Sequence, residues 1–128
     1  MTRIEKINLS PKRKNELISE YMNDFIIGLS ASTGKKFSLT YQYLSSGENA
    51  IYARDIKVGR IFRRKIVGSM IIHVSRNDYT ISSIQLTLTD QNFDKVFSLE
   101  AELLARKFRK KRFIKRGEGI AIHRNFKN

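Results

Sequence analysis

Apolar residues recur every three to four positions from Leu17 to Leu29, at Leu17, Ile18, Tyr21, Met22, Phe25, Ile26 and Leu29. Lys14, Glu16, Glu20 and Asp24 fall mostly on the other side, so the spacing predicts an amphipathic helix with one face turned to a core. Ser10-Pro11 suits its start: a Ser hydroxyl accepts from partnerless helix-start amides, and Pro is at home in the first helical position. Gly34, in ASTGKK, is where this helix should stop.

From Phe37 the period changes to two. Phe37, Leu39, Tyr41 and Tyr43 alternate with Ser38, Thr40 and Gln42, the pattern of a half-buried strand, and SSGEN (45–49) reads as a turn. A second strand is expected over about 50–58, ended by Gly59. A third, about 61–74, carries Met70, Ile72 and Val74 on one side, with Gly68 marking a bulge. SRND (75–78) turns the chain into a fourth strand, about 79–89, whose alternation slips phase between Ile81 and Ile84 at Ser82-Ser83. Thr89 or Asp90 can cap a second helix, with Phe93, Val96, Phe97, Ala101, Leu103, Leu104 and Phe108 as its apolar face. Gly117 and Gly119 then break the chain before IAIH (120–123), a candidate additional strand.

The order is therefore α-β-β-β-β-α-(β), an α+β class. Short connections argue for an antiparallel four- to five-stranded meander, packed on one face by an N-terminal and a C-terminal helix. At 128 residues, 41% of them hydrophobic, residues 1–128 fit one domain. Chains of this size bury roughly two thirds of their unfolded surface without needing cross-links. The absence of Cys excludes disulfides, thiolate nucleophiles and Cys-based zinc or iron–sulfur sites. No signal-like or membrane-spanning apolar run occurs, so a cytoplasmic protein with no membrane partner is expected.

Charge changes the picture most. The chain carries 25 Lys and Arg against 12 Asp and Glu, a net +13 with pI near 10.3. Eight of those cations crowd into RKFRKKRFIKR (106–116), without which the net charge falls to +5. Such a field attracts polyanions, nucleic acid first. A helix C-terminus welcomes two or three cations, at roughly 0.3 to 1 kcal/mol each, but eight repel one another unless something neutralises them. Phe113 and Ile114 within the run either anchor it to the core or offer a stacking surface.

Arg106, Lys107, Arg109, Lys110, Lys111, Arg112, Lys115 and Arg116 form the expected principal nucleic-acid footprint. A second cluster in GRIFRRKIVG (59–68), Arg60, Arg63, Arg64 and Lys65, suits an edge strand or a projecting hairpin and forms a secondary footprint. The two can grip one phosphate backbone together only if they share a side of the molecule. Phe37, Tyr41 and Tyr43, with Tyr52 nearby, lie on one strand face that the helices are expected to cover.

Little points to catalysis. His73 and His123 have no metal-ligand spacing, paired carboxylates of nuclease type are not visible, and GKK (34–36) lacks the upstream Gly spacing of a phosphate-binding loop. Glu100 falls within the apolar stripe and should sit at the rim of the helix–sheet contact. No catalytic residue, metal or cofactor is expected. The α-β-β-β-α portion resembles the order of double-stranded-RNA-binding domains, which also have a basic second helix. Their cations begin that helix, whereas here its first half, DQNFDKVFSLEAE, is acidic and the strands are too many, so no family is assigned. The expected function is non-catalytic binding of DNA or RNA. The alternatives are docking on an acidic protein partner and a small metal-independent nuclease using His123 beside Arg124.

Overall fold

The computed structural model describes residues 10–46, 49–60, 62–75, 80–114 and 119–126, and only the backbone at 11, 41–46 and 49. Helix α1 runs Pro11–Thr33, with the Ser10 hydroxyl accepting from the Arg13 N–H at 3.1 Å. Gly34 ends it in the left-handed conformation at φ 72°, its N–H donating to the Ser30 carbonyl. Strands β1 (Phe37–Ser46), β2 (Asn49–Val58), β3 (Lys65–Ser75) and β4 (Ile81–Leu88) follow. Asp90 then caps a single 3-10 turn by accepting from the Asn92 N–H at 3.0 Å, and that turn leads into α2 (Asp94–Lys110). The last strand is β5 (Ala121–Arg124).

The sheet order is β1-β2-β3-β4-β5, with antiparallel pairs as far as β4. The meander ends there, because β5 pairs parallel to β4. The reason is the intervening helix: α2 carries the chain back along the sheet, so the next strand must start where β4 started. Both expected irregularities are present. The β2–β3 register shifts between Ile56 and Lys57, opposite Val67 beside Gly68, and the β3–β4 register shifts between His73 and Val74, opposite Ser82. The turns expected at SSGEN (45–49) and SRND (75–78) fall largely on 47–48 and 76–79, outside the described residues.

The buried residues form one cluster between the helices and one sheet face. Phe97, fully buried, meets Phe25 of α1 edge-on at 5.8 Å and Phe37 of β1 at 6.4 Å, while Phe37 also meets Phe93 at 5.3 Å. Gly68 leaves room for this layer: a Cβ there would lie 2.4 Å from the Thr87 carbonyl oxygen and 3.2 Å from the Phe97 ring. Phe37 and Tyr52 are therefore core residues, with the Tyr52 hydroxyl donating to Asn15 of α1. The side chains of Tyr41 and Tyr43 lie outside the described residues.

Candidate nucleic-acid interface

Strand direction decides where the basic clusters lie. β1 and β3 run one way and β2 and β4 the other, so the α1–β1 connection, the β2–β3 loop and the start of α2 share one end of the sheet. The end of α2 lies at the other, where the Ile81 N–H of β4 donates to the Phe113 carbonyl at 2.7 Å. The 17 residues of α2 separate the two ends by about 25 Å at 1.5 Å per residue. The two basic clusters therefore do not share a side, and a joint grip on one short backbone segment is excluded.

At the hairpin end, β3 begins only at Lys65: residues 62–64, expected in the third strand, lie in a loop, Ile61 is outside the described residues, and β3 is the third of five strands, not an edge. Gly59 causes this. At φ 116° it turns the chain out of β2 while its N–H donates to the Lys36 carbonyl at 2.9 Å. A Cβ at Gly59 would sit 2.5 Å from the Arg63 carbonyl oxygen, so only Gly lets the loop fold back this closely. The Arg63 N–H then donates to the Arg60 carbonyl at 2.8 Å, closing a turn that carries Phe62. Phe62 is 98% exposed and Ile66, the register partner of Lys57, is 52% exposed.

Around this turn stand Lys35, Lys36, Lys57, Arg60, Arg63 and Arg64, which form no ion pair among the described residues. Two nearby acids are already engaged: Asp90 with Lys65 at 3.2 Å, and Asp94 with Arg124 at 2.8 Å. Partial burial pushes the Asp90 carboxyl up, but hydrogen bonds from the Asn92 N–H and Lys65 outweigh it and hold the group below its ordinary value. It stays an anion at neutral pH, and Lys65 is thereby held back from an external phosphate.

At the helix end, three cations of the expected principal footprint are engaged by two acids. Arg106 and Arg109 both reach Glu102, at 3.4 and 3.3 Å, and Lys107 reaches Asp24 of α1 at 3.1 Å. Lys107 also lies 5.7 Å from the ring centre of Tyr21. Partial burial first, and the Glu20 charge second, raise the Tyr21 phenol above its ordinary value against the pull of Lys107, so it remains neutral. Lys110, Lys111 and Arg112 are exposed and make no ion pair among the described residues; Lys115 and Arg116 lie outside them.

Phe113 and Ile114 are buried, which makes them anchors and not a stacking surface. The Arg112 N–H donates to the Arg109 carbonyl and the Phe113 N–H to the Phe108 carbonyl, both at 2.9 Å, while the Phe108 and Phe113 rings lie 6.0 Å apart. This is the hydrogen-bond pattern that closes helices on a left-handed residue backed by an apolar contact. The left-handed position, usually Gly, holds Arg112 at φ 62°. Arg112→Gly is expected to raise stability by about 0.5–1 kcal/mol, as relief of side-chain strain exceeds the entropy Gly adds to the unfolded chain. Chemical denaturation reads this directly, and a loss of stability would contradict the cap.

Lys12, Arg13 and Lys14 were not singled out by the sequence pattern. They occupy the first turn of α1, which holds no acid, so they face the unfavourable positive end of the helix dipole. The helices run antiparallel, as the Tyr21–Phe108 and Phe25–Phe97 contacts show, so this turn points toward the helix end of the molecule. Arg13 is relieved by Glu16 at 3.4 Å. Lys35 and Lys36, read from sequence only as lacking a phosphate-binding loop's Gly spacing, come beside the hairpin loop because Phe37 pairs with Val58.

Glu100 is half-buried against α1, not at the sheet: a Cβ on Gly28 would fall 1.9 Å from its carboxylate oxygen. Leu103, expected in the apolar face, is 47% exposed. It helps line a groove of about 260 Å3 between the helices, with Tyr21, Phe25 and Leu104 beside it and Arg106 and Lys110 at the edge. His73 and His123 both lie on the sheet face away from the helices, two strands apart and offset by four register positions. That separates them by about 10 Å across and about 13 Å along the strands, too far to act as an acid–base pair on one phosphate. Arg124 is committed to Asp94 and Ser98. Among the described residues no group of His, Asp or Glu could hold a metal ion, and no helix is long and apolar enough to cross a membrane. No protein-family profile, curated protein or solved structure matches the chain.

Proposed function

We propose that this is a non-catalytic, cytoplasmic nucleic-acid-binding protein that holds DNA or RNA through phosphate contacts, chiefly at the hairpin end and secondarily through Lys110, Lys111 and Arg112. The supporting observation is the set of six cations without ion pairs around the Arg60–Arg63 turn. Charges this close lie within the roughly 8 Å screening length at physiological salt and repel one another. A phosphate backbone removes that repulsion and releases its own condensed counterions. Arg suits the role, since its planar fork meets phosphate oxygens in pairs.

The test is an anisotropy titration against DNA and RNA over a range of salt. Engagement of five to eight phosphates on duplex DNA predicts a log–log slope of roughly −4 to −7. Weak binding with a flat slope would remove the proposal. A second reading, docking on an acidic protein partner, is favoured by the groove between the helices, where exposed Leu103 lies beside Arg106 and Lys110, with Leu99 exposed one turn away. It predicts a saturable protein complex that survives nuclease treatment.

A further inference from the structure

Among the described residues Phe62 is the largest apolar side chain left in water, at 98% exposure, and it stands among Arg60, Arg63 and Arg64. Burying that ring elsewhere would gain roughly 1.5–3 kcal/mol, yet the turn presents it outward and holds it there by the Arg60–Arg63 hydrogen bond and the Gly59 anchor on Lys36. We infer that Phe62 is a stacking platform for an unpaired base, so that the hairpin end takes single-stranded nucleic acid. This deepens the nucleic-acid reading and rests on it.

Three features carry the inference. Base stacking requires one exposed aromatic face flanked by cations that track the backbone. Arg63 is next to Phe62 in the chain, about 3.8 Å away, and Arg60 is held to Arg63 by the backbone hydrogen bond, so both lie within side-chain reach of phosphates flanking a base seated on Phe62. A paired duplex offers no base face to such a ring without being unstacked, whereas a single strand does. A lipid surface also attracts basic aromatic loops. Driving Phe62 into hydrocarbon would carry the peptide groups of a tight turn with it, and those would lose their water. Stacking leaves the turn backbone solvated.

The chain has no Trp, so Phe62→Trp introduces a single Trp, excited selectively over the five Tyr at the red edge of absorption, at the proposed platform. Its emission is expected to be quenched on titration with fluorescein-free oligothymidylate and to change little with a blunt duplex. In anisotropy with labelled oligothymidylate, Phe62→Ala should lose about 5- to 150-fold in affinity, with the salt slope unchanged because no phosphate contact is removed. Phe62→Tyr should retain binding. Salt-steep binding of oligothymidylate that is equal in Phe62→Ala and the native protein would overturn the stacking role and leave phosphate binding standing. Absence of binding by the native protein to either nucleic acid would overturn both. Blue-shifted, unquenched Trp emission on vesicles containing anionic lipid, without response to oligothymidylate, would assign the loop to a lipid surface instead.

Discussion

Replacing Arg60, Arg63 and Arg64 together by Gln is expected to lower affinity for single-stranded DNA about 50-fold near physiological salt and to flatten the log–log salt slope by about 2.1. The reasoning is that each lost phosphate contact on a single strand forfeits the release of roughly 0.7 counterion, so three contacts act on the slope and the affinity together. The three side chains are exposed and form no ion pair among the described residues, so stability should stay within about 0.5 kcal/mol of the native protein. A parallel triple variant, Lys110, Lys111 and Arg112 to Gln, removes the helix-end contacts only. Because the two ends lie about 25 Å apart, it should weaken binding to long polymers while leaving a short single strand on the hairpin loop. Unchanged affinity and slope in the arginine variant, with the fold intact by circular dichroism, would sink the assignment of the hairpin end.

The largest effect on stability is expected at Phe97. Its ring joins all three parts of the core: Phe25 from α1, Phe37 from β1, and the bare backbone of Gly68 in β3. Phe97→Ala removes these contacts and leaves a cavity that Gly68 has no side chain to fill, at a cost of about 3–5 kcal/mol. Domains of this kind have roughly 5–15 kcal/mol in total, so the variant should stand near the edge of folding. Urea denaturation with an unchanged m-value is the appropriate measurement. A loss below about 1 kcal/mol would show that the helices do not close on the sheet through this ring.

These two positions differ in how legible they were. Phe97 could be placed in the core from periodicity alone, because a residue four positions from Phe93 and Ala101 and seven from Leu104 lies on the same helix face as all three. The Ser10 and Asp90 caps, the Gly34 stop and both bulges were equally local, since each depends on the conformational preference of one or two residues. The direction of β5 was less accessible. It follows from α2 acting as a return path, which a count of strands does not reveal.

The candidate site was legible as charge and illegible as geometry. The run at 106–116 was conspicuous, and its partner Glu102, four residues before Arg106, was within reach of helix-spacing rules. Asp24, which takes Lys107 from 83 residues away, was not. The smaller 60–65 cluster gained weight only when Lys35, Lys36 and Lys57 arrived beside it through strand pairing and Phe62 was left in solvent.

The sequence by itself determined the class of the fold, its core residues, most element boundaries and the excess of positive charge. Those properties are sums over local preference and burial, and the order of residues contains them. Only the tertiary structure decided which cations are neutralised, that the two clusters face opposite ends, and that an aromatic stands unburied among arginines. Those are relations between residues distant in the chain, set by strand direction and helix packing, and electrostatic and stacking interactions depend on such distances and not on sequence separation.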